Sequence, residues 1–212
     1  MLSTLGAEVL LMKRIITVGR EFGSGGRELG KRLSDLLQIA YYDKEIIEEI
    51  AKRTRLAEEY VHQILEHRPN LYYPITVGHT LHAHGSDYLI RQQTAVFTEQ
   101  ANVLREMAEK SDCIIVGRCA DYILRDLHPF RLFVYADMDA RMARCRLKAP
   151  ETEHLNDRQL KKRILGVDKN RAHYYTYYTG QKWGARENYD LCVNTSNIPV
   201  KEIATALANL LS

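Results

Sequence analysis

The feature that most constrains this chain is a β-branched run, Ile15-Ile16-Thr17-Val18, that stops at Gly19-Arg20-Glu21-Phe22-Gly23-Ser24-Gly25-Gly26. Leu29, Leu33, Leu36 and Leu37 follow at helical spacing. The order is buried strand, glycine-rich turn, amphipathic helix. Such a turn presents backbone N–H groups at a helix N-terminus, where glycines leave a phosphate room to approach. A tight strand-to-helix turn, rich in glycine for steric reasons alone, is the competing reading.

The same alternation continues along the chain. Short apolar runs at 39–42, 113–116 (Cys113-Ile114-Ile115-Val116), 132–135 (Leu132-Phe133-Val134-Tyr135) and 191–193 are separated by helical patterns, the last of them at Val200 to Leu211. Buried strands alternating with helices predict a parallel sheet of about five strands covered on both faces, an α/β doubly wound fold. Ile46, Ile47 and Ile50, then Val61, Ile64 and Leu65, then residues 86–110, form helical faces between the second and third strands. Residues 44–110 therefore read as a helical insert, interrupted by a loop at 69–80 that carries Pro69, Pro74 and Gly78.

With 212 residues the chain suits one core. Its formal net charge of +3 is too small to argue for nucleic acid. A small anionic ligand needs only a local cluster of Arg and Lys. The four cysteines, Cys113, Cys119, Cys145 and Cys192, form no CxxC, and Cys113 and Cys192 lie in apolar runs. They read as reduced core thiols, which points to a cytoplasmic setting. No apolar run approaches the ~20 residues of a membrane span. Residues 1–12 read as a weakly ordered leader ahead of a single domain at 13–212.

These segments, taken in order, resemble the cytidylate kinase-like family, a P-loop nucleoside monophosphate kinase type. The resemblance is carried by IITVGREFGSGGRELGKRL at 15–33, YYDKEII at 41–47, IIVGRCADYIL at 114–124, DKNRAHYYTYYTGQKWG at 168–184 and YDLCVNTS at 189–196. It implies ATP-dependent phosphoryl transfer, with Mg²⁺, to a nucleoside monophosphate such as CMP or dCMP or to a related small acceptor. It implies a helical acceptor-binding insert at 44–110 and a mobile lid at 146–182, with no nucleic-acid or membrane partner. Arg20, Gly23, Ser24, Gly25, Gly26, Arg27 and Glu28 are the expected ATP-phosphate site.

Against a Walker A loop, GxxxxGK[ST], Gly26 stands at the lysine and Arg20 at the first glycine. Arg27, with Arg20 as substitute, is the cation expected to take the lysine's place, since a guanidinium also holds phosphate oxygens in pairs. The other reading of Arg27 is a solvated first-turn residue paired with its helix neighbours.

For the acceptor, the resemblance implies Arg118 as the phosphate ligand and Asp43 as part of the acceptor site. Cys119 and Glu49 stand where true cytidylate kinases carry Asp and Arg. From the residues alone, Arg118 could be a surface arginine after a strand, and Asp43 an N-cap for the next helix. Asp168 and Arg171 share one helix face and are implied as catalytic lid residues; an exposed salt bridge between the two is the alternative. Arg141, Arg144 and Arg146 read as a basic helix face, with contact of one of them to ATP as the alternative. Tyr174, Tyr175, Tyr177, Tyr178 and Trp183 read as packing of the lid's end. His79, His82 and His84 read as part of a polar loop, and no direct metal ligand is assigned.

Two further functions compete. A catalytically weak or silent nucleotide-binding sensor is suggested by the absent lysine. A dinucleotide-dependent oxidoreductase is suggested by Gly23, Gly25 and Gly30 after a strand, with Asp43 at a ribose-binding distance along the chain, although Glu28 replaces the third glycine of that fingerprint.

Overall fold

The computed structural model describes residues 13–66, 83–150 and 155–212. The leader at 1–12, the loop at 69–80 with His79, and His82 lie outside the described residues, as does the side chain of His84. Five strands, β1 (Ile15–Arg20), β2 (Ala40–Tyr42), β3 (Cys113–Val116), β4 (Phe130–Tyr135) and β5 (Leu191–Asn194), form one sheet in the order β2-β3-β1-β4-β5. Every pairing is parallel. Connecting or flanking them are α1 (Gly26–Leu37), α2 (Glu45–Thr54), α3 (Glu58–Glu66), α4 (Ala83–Lys110), α5 (Ala120–Ile123), α6 (Met138–Lys148), α7 (Asp157–Thr179) and α8 (Val200–Leu211).

Strand alternation sorts the core. Ile16 and Val18 of β1, Ile114 and Val116 of β3, and Leu132 and Val134 of β4 point to one face, where Leu29 and Leu33 of α1 and Ile203, Ala204 and Leu207 of α8 cover them. Ile15, Cys113 and Ile115 point to the other, beneath Ile46 and Ile50 of α2, Val61 and Leu65 of α3, and Val96, Val103 and Leu104 of α4. Both faces are closed, which is why the strands are apolar runs and not alternating ones. A third, smaller cluster of Met142, Leu160 and Ile164 joins α6 to α7 and takes in the ring of Phe22 from the glycine loop.

All four cysteines are free thiols; Cys113 is fully buried and Cys192 half-buried. No helix among the described residues is long and apolar enough to cross a membrane.

Strand order bears directly on function. In a dinucleotide-binding sheet the second strand lies beside the first, so that its terminal acid reaches the ribose. Here β3 separates β2 from β1, so the oxidoreductase reading does not survive the topology.

Candidate active site: a glycine loop inside an arginine-rich cleft

The glycine loop leaves β1 at Arg20 and enters α1 at Gly26. Gly23 (φ 78°) and Gly25 (φ 86°) take left-handed conformations that side chains disfavour. Gly25 is also the N-cap of α1, and no side chain caps that helix end. The loop is pressed against its surroundings. A Cβ on Gly23 would lie 2.9 Å from the Arg141 carbonyl oxygen and the Cys145 sulfur, and one on Gly25 would lie 2.9 Å from Val200 Cγ2. At Gly26 a Cβ would start 2.5 Å from Cβ of Arg20. The lysine position of a Walker loop is therefore filled by the root of Arg20, and no side chain fits there.

Ser24 is fully buried; its hydroxyl donates to the Glu21 carbonyl at 2.9 Å, and its own carbonyl accepts from the Thr195 hydroxyl at 2.6 Å. It shapes the loop from inside. Glu28, in the first turn of α1, is held by Arg32 at 3.0 Å and Lys148 at 3.1 Å. Partial burial raises its pKa, and the hydrogen bonds from Arg32 and Lys148 outweigh that and leave it lowered.

Asp43, just past β2, is buried and collects the two arginines that flank the loop, Arg20 at the end of β1 and Arg27 in the first turn of α1. Arg27 Nε lies 2.6 Å from Oδ2 and Arg20 Nη2 lies 3.7 Å from Oδ1. It does not cap α2, whose N-cap is Lys44, without a side-chain cap. The N-cap reading is thus corrected: the carboxylate is turned toward two cations, a stronger partnership than a peptide N–H. Arg27 likewise pairs with Asp43 and not with its helix neighbours. The Arg20 guanidinium lies over Gly117, where any Cβ would overlap its Nη1.

Beyond β3, Gly117 (φ 74°), Arg118 (φ 59°) and Cys119 (φ 53°) are three successive left-handed residues. Conformations of this kind cluster where structure is held for function. Fully buried Gln100 from α4 donates to the Arg118 carbonyl at 2.9 Å and accepts from the Tyr174 hydroxyl of α7 at 3.4 Å. Arg118 is buried, so the surface-arginine reading is corrected. Burial also pushes the Cys119 thiol pKa well up, and the side chain packs in the core beneath α2 to α4.

Nearby, the Tyr175 hydroxyl donates to buried Asp121 at 2.6 Å. Tyr174 and Tyr175 are buried, and Tyr178 stacks on Phe97 with centroids 4.0 Å apart. Tyr174, Tyr175 and Tyr178 of α7 are packing, whereas Tyr177 is exposed.

Asp168 and Arg171 flank the loop from α7. Asp168 Oδ1 accepts from the Phe22 N–H at 2.8 Å, and its other oxygen is ion-paired with Arg141, not with Arg171. Burial raises its pKa, against the Phe22 N–H and Arg141. Arg171 Nη1 donates to the Arg20 carbonyl at 3.4 Å. Arg141 is 4% exposed and contacts Glu21, Phe22 and Asp168. The reading of Arg141 as part of a basic helix face is therefore corrected: its guanidinium is turned inward. Helical spacing reports only its apolar neighbours, and no signal in the sequence marks it.

Between the loop, α6 and α7 lies a cleft of about 590 Å³. Arg20, Arg27, Arg144, Arg146, Lys148, Arg163 and Arg171 line it against two carboxylates, Glu21 and Glu28. Pro150, Leu155, Leu160 and Val167 supply an apolar wall. Asp168 is not on its surface. A cavity of about 50 Å³ at the ends of β1 and β3 holds Arg20, Arg118, Arg171 and Asp121. The structure thus gathers Arg20, Arg27 and Arg171 along the larger cleft and brings Arg118 together with Arg20 and Arg171 around the smaller cavity. Among the described residues no group of three or more His, Cys, Asp or Glu side chains could hold a metal ion.

A five-stranded parallel sheet with a glycine loop after its central strand and a basic cleft at the strand ends is the fold of the P-loop kinases. The chain belongs to the cytidylate kinase-like family, whose sequence model matches residues 15–197. An uncharacterized protein from Eubacterium ventriosum ATCC 27560 is 26% identical, with a TM-score of 0.67 over 94% of this chain and 98% of that one. A shikimate kinase from Bacteroides thetaiotaomicron is 17% identical, with a TM-score of 0.54 over 93% and 98%. Another, from Acinetobacter baumannii in complex with shikimate, is 14% identical, with a TM-score of 0.52 over 95% and 93%. At these identities the two shikimate kinases are similar in fold alone. No curated protein matches the chain. Family and fold support kinase-type phosphoryl transfer.

Proposed function

We propose that the protein transfers a phosphoryl group from ATP to a nucleoside monophosphate, with CMP and dCMP the first candidates, or to a related small acceptor. The observation that carries this is the cleft of about 590 Å³ in which seven basic side chains surround an uncapped helix N-terminus and two left-handed glycines. Phosphoryl transfer needs little covalent help from a protein and much positioning and neutralisation of charge.

ATP phosphates fit against the segment from Arg20 to Glu28, with the first-turn N–H groups of α1 facing them. Gly23, Gly25 and Gly26 let the chain pack closely enough to form that surface, and Ser24 holds its curvature. Arg27, 60% exposed in its side chain, is free to swing from Asp43 toward the phosphates, while Arg20 stays anchored. Together they supply the charge of a Walker lysine. Arg171 faces the same cleft and is suited to the transferred phosphoryl group. Mg²⁺, for which no protein ligand is assigned, would supply further positive charge against the ATP phosphates. Arg118 is suited to the acceptor's phosphate, with α2 to α4 forming the acceptor side and α7 the lid of a single domain at 13–212.

The test is ATP consumption by the purified protein with each nucleoside and deoxynucleoside monophosphate. Turnover with a cytidine nucleotide, reduced about 10²–10³-fold in Arg27→Ala as for loss of one charge-stabilising donor, supports the assignment. A protein that binds no ATP refutes it. A second reading, nucleotide binding without transfer, is favoured by Ser24, which is fully buried with its hydroxyl turned to the Glu21 carbonyl. Tight ATP binding with no turnover on any acceptor identifies that case.

A further inference from the structure

Phe22 sits at the tip of the loop, and both its peptide groups are taken by side chains. Its N–H donates to Asp168 Oδ1 at 2.8 Å, and its carbonyl accepts from Arg141 Nε at 2.7 Å. Asp168 and Arg141 are ion-paired with each other, closing a ring around one residue. Arg141 also reaches Glu21 Oε2 at 3.1 Å, and that oxygen accepts the Ala136 N–H at 3.2 Å. The ring of Phe22 is packed into the α6–α7 cluster, with the Arg171 guanidinium 5.8 Å from its centroid.

We propose that Asp168 and Arg141 are positioning residues that hold the glycine loop in its phosphate-binding shape, so that donor binding depends on the docking of α7. A loop with glycines at Gly23 and Gly25 has little conformational preference of its own. The carboxylate of Asp168 stands in for a neighbouring strand, and the guanidinium of Arg141 completes the pairing. Both carboxylate oxygens of Asp168 are engaged, one by the Phe22 N–H and one by Arg141, so it acts on a nucleotide through the loop. Because the two groups come from α6 and α7, α7 cannot leave the loop without removing the acceptor of the Phe22 N–H and the carboxylate partner of the buried Arg141 guanidinium. The inference rests on the reading of this loop as the donor site.

The experiment compares full-length wild type, Asp168→Ala, Asp168→Asn and the exposed neighbour Lys169→Ala. Amide hydrogen exchange at Phe22 is measured alongside ATP and CMP dissociation constants. In Asp168→Ala the Phe22 amide is expected to exchange about tenfold faster or more. The same variant should bind ATP about tenfold more weakly, as for one lost charged hydrogen bond, with CMP affinity little changed. Asp168→Asn keeps an acceptor oxygen and should retain most of the Phe22 protection, and Lys169→Ala should match wild type in every measurement. Unchanged Phe22 exchange in Asp168→Ala overturns the clamp. A loss of CMP affinity equal to that for ATP overturns it too, because Asp168 would then serve the acceptor. If wild type takes no ATP, the donor-site reading fails, and the exchange comparison alone decides whether the loop is clamped.

Discussion

At Gly26 the backbone runs against the root of Arg20, and this contact separates the loop from a lysine-bearing one. Installing the missing lysine is therefore not a repair. Gly26→Lys would place Cβ 2.5 Å from Arg20 Cβ and 3.3 Å from Val134 Cβ. It is expected to cost about 1–3 kcal/mol of stability, as overpacking does, and to yield no gain in phosphoryl transfer. Denaturant unfolding and ATP turnover check the two parts.

Asp121 offers a second test at this scale. Burial raises its pKa against the hydrogen bond from Tyr175. A carboxyl raised in the folded state contributes stability below its unfolded pKa and loses that contribution as pH rises through the folded value. Asp121→Asn stays neutral and keeps an acceptor for Tyr175. It should exceed wild type in melting temperature near about pH 8, with the gap closing toward about pH 4, the ordinary carboxyl range. Thermal unfolding across that range reads the sign directly.

At the scale of elements, the turn after β3 depends on a helix far from it in sequence. Gln100 of α4 holds the Arg118 carbonyl while three successive residues sit at positive φ. Gln100→Ala leaves that buried oxygen without its donor, at a cost of about 1–3 kcal/mol. If Arg118 grips the acceptor, the same change should raise the acceptor's KM more than that of ATP. Equal changes in both would mean that Gln100 serves only the fold. Elements themselves were well legible. The tail helix spans Val200–Leu211 as its pattern suggests, and β3 falls on its apolar run because each buries a continuous stripe, while β5 covers its own apolar run though only partly buried at the other sheet edge. β2, by contrast, is only Ala40–Tyr42, partly exposed at the sheet edge.

For the molecule as a whole, the sheet is closed on one side by α1 and α8, whose apolar stripes interlock over β1, β3 and β4. Truncation after Ile198 would uncover Leu29, Leu33, Ile114, Leu132 and Val134 together. The shortened chain is expected to lose cooperative unfolding and to aggregate, read by calorimetry and light scattering. The same side carries Val200 against Gly25. Milder damage to α8, such as Leu207→Ala, is expected to cost about 2–5 kcal/mol.

Local pattern alone determined that this chain alternates strands and helices, that its first strand ends in a glycine turn, and that Arg20 and Arg118 stand at strand ends. Those properties depend on apolar periodicity and on glycine's backbone freedom, both written in consecutive residues. Only the tertiary structure decided which charges meet. Asp43 pairs with Arg27 and Arg20 because β2 ends beside the loop. Asp168 bonds to Phe22 across 146 residues, and Arg141 is buried although its helix reads as a basic face. Periodicity reports which face of an element is apolar. The partner of a charged side chain is set by the distant element folded against it, and that is why the loop was legible and its clamp was not.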